Sequence, residues 1–275
     1  MSKKISPFVK WVGGKTQILN EIKKRMPKKF NKYYEPFVGG GALLFEIMPE
    51  VAIINDINSH LINAYKKIKT DHKKLLMLLK KWDNEVCDKN LYFQRRKEFN
   101  LKIINNTNDV EAAALFIYLN KRCFNGIYRV NSKGLFNVPF NNKAKVNSFS
   151  EDNIKNIGYF LKKVKILNLD FEKALVDATK DDFIFFDSPY APLTKTSFNS
   201  YTENGFGVDD HIRLFNLFKQ LDEKGCYVML TNHNTPFINE LYKDYKIEII
   251  NVKRMVNSDA NNRYGQEVII TNYLK

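Results

Sequence analysis

Cysteine and histidine are scarce in this sequence. The three cysteines, Cys87, Cys123 and Cys226, are odd in number and far apart, which argues against a disulfide framework. The four histidines, His60, His72, His211 and His233, are scattered, and neither a Cys-x-x-Cys nor a His-x-Glu pair occurs. That disfavours a zinc deaminase acting on a nucleobase, and no metal is expected. A Gly-x-Ser-x-Gly elbow for acyl transfer is missing. No apolar run reaches the roughly 18 residues of a membrane span. The opening, Met1 to Lys4, is polar and basic and is followed only by Phe8, Val9, Trp11 and Val12, so no signal peptide is expected and a reduced, cytoplasmic setting follows. Acid is short relative to base: 30 Asp and Glu stand against 44 Lys and Arg, for a net charge of +14. Lysine and arginine displace condensed counterions from phosphates, so nucleic acid is the natural partner of such a chain. Heavy use of Lys, Asn and Ile offers a compositional explanation too, and charge alone leaves the partner open.

Apolar residues make up 44% of the 275 residues, enough for a substantial core in one large or two small domains. Tyr33 to Phe37 reads as a short strand, Gly39-Gly40-Gly41 as a turn, Ala42 onward as a helix, and Val51 to Ile54 as a second strand: a βαβ unit. From Asn58 to Arg122 the pattern is helical, with Leu75, Leu76, Leu78 and Leu79 on one side. Residues 123–149 lose periodicity, and Ile127 to Phe140 reads as a hairpin turning at Asn131 to Gly134. Strands then recur at Val164–Leu167, Phe183–Phe186, Cys226–Leu230, Ile247–Val252 and Val268–Thr271. Asp209 to Leu221 is an amphipathic helix with Asp209 as its cap, and Pro236 opens another. An open, mostly parallel α/β sheet carrying an inserted helical domain is predicted. Ligands of such sheets sit at the carboxyl ends of the strands, where Glu35-Pro36-Phe37, Asp56 and Asp187 fall.

Four segments bear chemistry. Glycines after Glu35-Pro36-Phe37 let backbone approach a ligand, although any strand-to-helix loop contains glycine. Asp56, about twenty residues on, suits the two hydroxyls of a ribose; a helix cap is the alternative, and beside the glycine turn the ribose reading is the better one. Phe8 to Thr16 ends in Gly-Lys-Thr, but Val9 stands where a phosphate loop needs glycine, so an ATPase loop is rejected. There Trp11 and Lys15 bracket Gly13 and Gly14, either walling in a small ligand or packing an N-terminal arm. Asp187-Ser188-Pro189-Tyr190 delivers an acid, a turn and an aromatic face to one spot. The carboxylate and a turn carbonyl can accept both N–H bonds of an aromatic amine, freeing its lone pair to attack a methyl sulfonium, while the tyrosine stacks on the base. A strand-ending turn with a capping acid is the alternative.

Together and in this order, these segments resemble the Dam-type family of DNA adenine-N6 methyltransferases, in the α-group arrangement, over nearly the whole chain. The resemblance implies a Rossmann-like methyltransferase fold, an open mostly parallel sheet with helices on both faces, and S-adenosylmethionine as cofactor. It implies a cofactor and catalytic domain at 1–57 and 164–275, and a helical recognition domain at 58–163 with a hairpin near 124–140. Trp11, Gly13, Gly14, Lys15, Glu35, Pro36, Phe37, Gly39, Gly41, Asp56, Asp170, Phe171 and Asp187 would hold the cofactor. Asp187, Ser188, Pro189 and Tyr190 would be the catalytic tetrad. Tyr118 to Asn131 and Gly134 to Phe140 resemble the recognition hairpin of members that read GATC. By that similarity Arg129 reads a guanine edge, Lys10 the outer guanine, Phe124 wedges into the stack, and Asn125, Ile127 and Pro139 line the groove with Asn131 and Lys133.

One departure stands out: the family's second tetrad residue is proline, and this chain has Ser188. The backbone carbonyl survives; the locked φ does not. Duplex DNA is the expected partner. A non-catalytic DNA-binding regulator on the same fold is a rival reading, as is a methyltransferase for RNA or protein glutamine; a nucleoside-phosphate enzyme is a third.

Overall fold

A computed structural model describes residues 5–193, 205–253 and 264–274; Met1–Lys4 lie outside them. In chain order the elements are α1 (Leu19–Arg25), β1 (Tyr33–Glu35), α2 (Ala42–Ile47), β2 (Ala52–Asn55), α3 (Ser59–Asp83), α4 (Lys89–Ile104), α5 (Val110–Arg122), α6 (Glu151–Leu161), β3 (Val164–Leu167), β4 (Phe183–Phe186), α7 (Val208–Glu223), β5 (Tyr227–His233), α8 (Pro236–Leu241), β6 (Lys246–Lys253) and β7 (Tyr264–Thr271). They fall into two compact units, each discontinuous in sequence. One comprises Met1–Gly14, Val38–Met48 and Asp56–Asn168; the other Lys15–Phe37, Pro49–Asn55 and Leu169–Lys275. None of the described helices is long and apolar enough to cross a membrane.

The second unit holds six of the strands, in the order β2–β1–β4–β5–β7–β6. The first four run parallel, and β7 is antiparallel to both its neighbours. Phe183, Ile184, Phe185 and Phe186 of β4 are all fully buried, as a strand covered on both faces requires. From β1 the chain moves to β2 on one side and later returns as β4 on the other. That reversal makes the carboxyl ends of β1 and β4, Glu35 and the segment after Phe186, the topological switch point at which such sheets bind ligands. β5 runs past the predicted Leu230 to His233, because Thr231, Asn232 and His233 pair with Ile269, Val268 and Glu267 of β7. The cap of α7 is Gly207, whose N–H donates to the Asp210 carboxylate at 3.0 Å, rather than the predicted Asp209.

On α7, His211 is buried edge-on to Phe206 and Phe237, and its Nε2 has no partner among the described residues. Burial pushes its imidazole down to about 4, against a smaller upward pull from Asp210. A histidine lowered in the folded state contributes stability that is complete above about pH 6.5 and is lost as pH falls through 4. His211→Leu is therefore expected to abolish on the order of 2–4 kcal/mol of acid destabilisation over that window. Melting temperatures compared at pH 7.5 and 4.5 check this, and equal drops in wild type and variant would refute it.

The first unit is built on α3 to α6. α5 is buried almost all round, from Val110 to Arg122, and packs on α3 and α4. Leu75, Leu76 and Leu79 are buried in α3, and Leu78 is half-buried. Asn58 caps α3, accepting from the N–H groups of His60 and Leu61. The fully buried Arg122 donates to Asp83 at 3.0 Å, to the Val146 carbonyl at 2.7 Å and to Ser148, tying the segment after the hairpin to α3. The predicted hairpin turn forms, with Gly134 N–H on the Asn131 carbonyl, but the pairing reduces to two isolated bridges, Cys123 with Phe140 and Val130 with Phe136. Two features shorten the ladder. Pro139 has no N–H to donate, and the Asn131 side chain takes the Lys133 and Leu135 N–H groups for the turn. The three cysteines are buried free thiols.

Candidate active site

In the sheet unit, the fully buried β4 delivers Asp187 at its carboxyl end. One carboxylate oxygen, Oδ1, accepts from Lys15 Nζ at 2.6 Å and from the Thr231 hydroxyl at 3.0 Å. Oδ2 carries no bond from a described residue. Burial pushes the Asp187 carboxyl above its ordinary range and Glu267 adds to this, while Lys15 and Thr231 pull it back. Lys15 Nζ also lies 4.4 Å from the centroid of the Tyr190 ring. The Tyr190 hydroxyl donates to Glu267 at 3.0 Å, and the His233 ring meets it edge-on at 4.8 Å. Burial raises the Tyr190 phenol well above its usual value, so it stays a donor. Ala191 is fixed by Asn232, which accepts its N–H at 2.8 Å, and its carbonyl faces His233 Nδ1 at 2.8 Å. Pro189 is exposed. Thr231, Asn232, His233 and Glu267 were not among the predicted site residues. The first three could have been found as a polar triplet ending an apolar strand. Glu267 could not, because only the antiparallel insertion of β7 brings it there.

Ser188 is buried, and neither its hydroxyl nor its N–H has a partner among the described residues. A proline here would lose no hydrogen bond, would remove an unpaired hydroxyl and would narrow the unfolded ensemble. Ser188→Pro is expected to stabilise the protein by about 1–2 kcal/mol, seen as a melting point several degrees higher, with transfer activity at least that of wild type. A lower melting point would show that the turn depends on the serine.

Glu35 is buried and accepts the Tyr33 hydroxyl at 2.9 Å. Asn55, at the end of β2, donates to the carbonyls of Pro36 (3.0 Å) and Leu169 (2.9 Å) and accepts the Leu169 N–H (2.8 Å). It thereby pins the buried Pro36 and the segment leading to Asp170 and Phe171. Phe37 and Phe171 pack with ring centroids 5.4 Å apart. Arg213 on α7 grips Asp170 through two 3.1 Å bonds and lies 4.8 Å from the Phe171 ring, so this predicted cofactor acid comes paired.

In the helical unit, the glycine turn before α2 is sterically obligatory. Gly39 has φ +48°, and a Cβ there would lie 2.6 Å from the Trp11 ring; Gly41 has φ +73° and would meet the Tyr65 hydroxyl at 2.6 Å. The Asp56 carboxylate accepts Gly39 N–H at 3.0 Å and Asn58 N–H at 2.9 Å, fixing the turn rather than capping α3. Burial raises its carboxyl, and those two N–H groups oppose the rise. Gly13 and Gly14 are exposed, and Trp11 stacks on Tyr128 at 6.0 Å.

The buried Asn120 fixes Lys10, one of the predicted DNA-contacting residues, beside the turn at Gly126. It accepts Lys10 N–H at 2.8 Å and donates to the carbonyls of Lys10 and Gly126 at 2.9 and 3.0 Å. Around it Phe124, Asn125, Arg129, Lys133 and Pro139 are exposed and Ile127 is half-buried. Arg129 Nε donates to Asn137 at 2.9 Å, while Asn131 spends its side chain on the turn.

A parallel sheet with a carboxylate and a braced tyrosine at its switch point, and a separate unit presenting basic and aromatic residues, define a Rossmann-like transferase that handles DNA. The chain belongs to the D12 class N6 adenine-specific DNA methyltransferase family, which it matches over residues 11–257. It is an adenine-specific DNA methyltransferase acting at N6. It is 43% identical over 274 residues to the Type II methyltransferase M1.LlaDCHI of Lactococcus lactis subsp. cremoris, covering 98% of this chain and 96% of the relative. It is 42% identical to the Type II methyltransferase M.MjaIII of Methanocaldococcus jannaschii, with 98% and 99% coverage. Identity to the DNA adenine methylase of Haemophilus influenzae is 35%, with 96% and 92% coverage.

Proposed function

We propose that this enzyme takes its methyl group from S-adenosylmethionine and places it on the adenine of GATC in duplex DNA, after rotating that adenine out of the stack. The observation that carries the catalytic part is Asp187, anchored through Oδ1 with Oδ2 unbonded by any described residue, beside a tyrosine braced by Glu267.

When bound, S-adenosylmethionine supplies an electrophilic methyl carbon on a sulfonium. Each unit taken by itself supports a nucleoside cofactor: in the helical unit a turn whose Gly39 and Gly41 leave no room for a Cβ and an Asp56 carboxylate with lone pairs to spare for ribose hydroxyls, and in the sheet unit the Phe37–Phe171 pair, which suits an adenine ring. Trp11, Gly13, Gly14, Glu35, Pro36 and Asp170 complete the proposed set. Asp187 and the Ser188 carbonyl accept the two N–H bonds of the target amine, Tyr190 stacks on the base, and Pro189 shapes the turn. N6 cannot be reached inside a duplex, which is why the base must be extruded. Residues 58–163 act as the recognition domain, with 1–57 and 164–275 binding cofactor and catalysing. Arg129 and Lys10 read guanines, Phe124 fills the stack, and Asn125, Ile127, Asn131, Lys133 and Pro139 line the groove.

Expression in cells free of adenine methylation, followed by base-resolved mapping of N6-methyladenine, tests the reading. Methylation at GATC is expected. Methylation at another sequence would overturn the site assignment alone, and methylation of RNA in its place would overturn the DNA reading.

A further inference from the structure

We infer that Lys15 is a positioning residue of the transfer reaction, holding Asp187 charged and aligned with Tyr190, and not principally a contact to the cofactor. The inference depends on the reading of Asp187 as the acceptor of the target amine. Lys15 follows Gly13-Gly14 and opens a short 3₁₀ turn, Lys15–Gln17, leading to α1. It is only 7% exposed, a burial that lysine tolerates only when paired. Its ammonium stands 2.6 Å from Asp187 Oδ1 and 4.4 Å from the Tyr190 ring centroid, so one cation touches two members of the tetrad.

The other titratable groups that act on Asp187 are Tyr190, Glu267 and Tyr33, the last bonded to Glu35. Glu267 opposes ionisation of Asp187, and Lys15 counters it with positive charge. The charge matters because the amine nitrogen becomes positive as its bond to the methyl carbon forms and the carbon–sulfur bond breaks; the sulfur would leave as the neutral thioether of S-adenosylhomocysteine, and the nitrogen would then release one proton to solvent. A carboxylate stabilises that nitrogen and accepts its N–H; a neutral carboxylic acid does neither as well. Lys15 binds Oδ1 and leaves Oδ2 for the amine, so it can stay in place throughout.

The test is single-turnover transfer from labelled S-adenosylmethionine to unmethylated plasmid DNA, both saturating, across pH 5 to 9. Lys15→Gln removes the charge and Lys15→Arg keeps it. The acid limb of the rate is expected to move up by about one pH unit in Lys15→Gln, a tenfold loss on that limb, and to return in Lys15→Arg. Should glutamine unsettle the fold, Lys15→Met places an uncharged side chain of similar length in the same buried position and makes the same measurement. An unmoved limb together with a raised Kd for S-adenosylhomocysteine in calorimetry would make Lys15 a cofactor contact and overturn the inference. Asp187→Asn is run alongside: if it keeps wild-type rates, the reading of Asp187 falls and the inference with it. If Asp187→Asn is inactive while the limb stays put, only the role of Lys15 falls.

Discussion

Asp187→Asn is expected to bind DNA as wild type does and to transfer methyl groups about 10²–10³-fold more slowly. That is the usual cost of removing one prepositioned electrostatic partner from a reaction centre. Asparagine keeps the shape at the end of β4 and an amide oxygen that still accepts from Thr231 and Lys15, so the ammonium loses its counter-charge but keeps an acceptor. What goes is the negative charge facing a nitrogen that turns positive. Alanine is the poorer probe. It would strand the Lys15 ammonium in a site where it is 8% exposed, and breaking a buried pair by removing one partner costs roughly 3–5 kcal/mol in stability. The check is single-turnover incorporation of labelled methyl beside a gel-shift titration. A variant within twofold of the wild-type rate would mean that another group holds the amine.

Asp56→Ala should fail differently. Its carboxylate satisfies the N–H groups of Gly39 and Asn58, and both would be left without that acceptor. Each lost buried bond costs about 1–3 kcal/mol, so a melting point lower by roughly 5–10 °C is expected. If Asp56 also holds a ribose, the Kd for S-adenosylhomocysteine rises by about one to two orders of magnitude, since charge-assisted hydrogen bonds contribute about 1.5–3 kcal/mol. Calorimetry on the folded variant separates the two effects. A lower melting point with unchanged affinity would leave Asp56 as a builder of the turn alone. The charge itself is not a stabiliser. A carboxyl raised by burial favours the folded state most below its unfolded pKa, and that contribution is lost as pH rises through the folded value.

The limits of each strand and helix were legible wherever local chemistry decides them. Phe183 to Phe186 reads as a dense apolar strand, with Asp187-Ser188-Pro189-Tyr190 as the turn that stops it, and the structure has β4 there. Pro236 at a helix start and the left-handed Gly39 and Gly41 follow from backbone sterics alone. Misreadings came where two local rules compete. Asp209 is a good cap by type, but Asp210 at the third helical position reaches back to the Gly207 N–H, which makes Gly207 the cap and puts Asp209 inside the helix. Val164 and the hairpin show the same division: alternation marked the strand, but Pro139 and the side chain of Asn131 decided how little of the hairpin pairs.

The sequence by itself determined which residues stand at the strand ends, because a turn after an apolar strand is written in neighbouring residues. Their order along the chain carried the resemblance to the adenine methyltransferases. Tertiary structure alone decided who meets Asp187: Lys15, 172 positions before it, and Thr231, 44 after it, converge on one oxygen. Glu267 reaches Tyr190 only because β7 inserts antiparallel beside β5. The reason is physical. The partners of a buried charge are set by strand order and register, and neither is encoded near the charge itself.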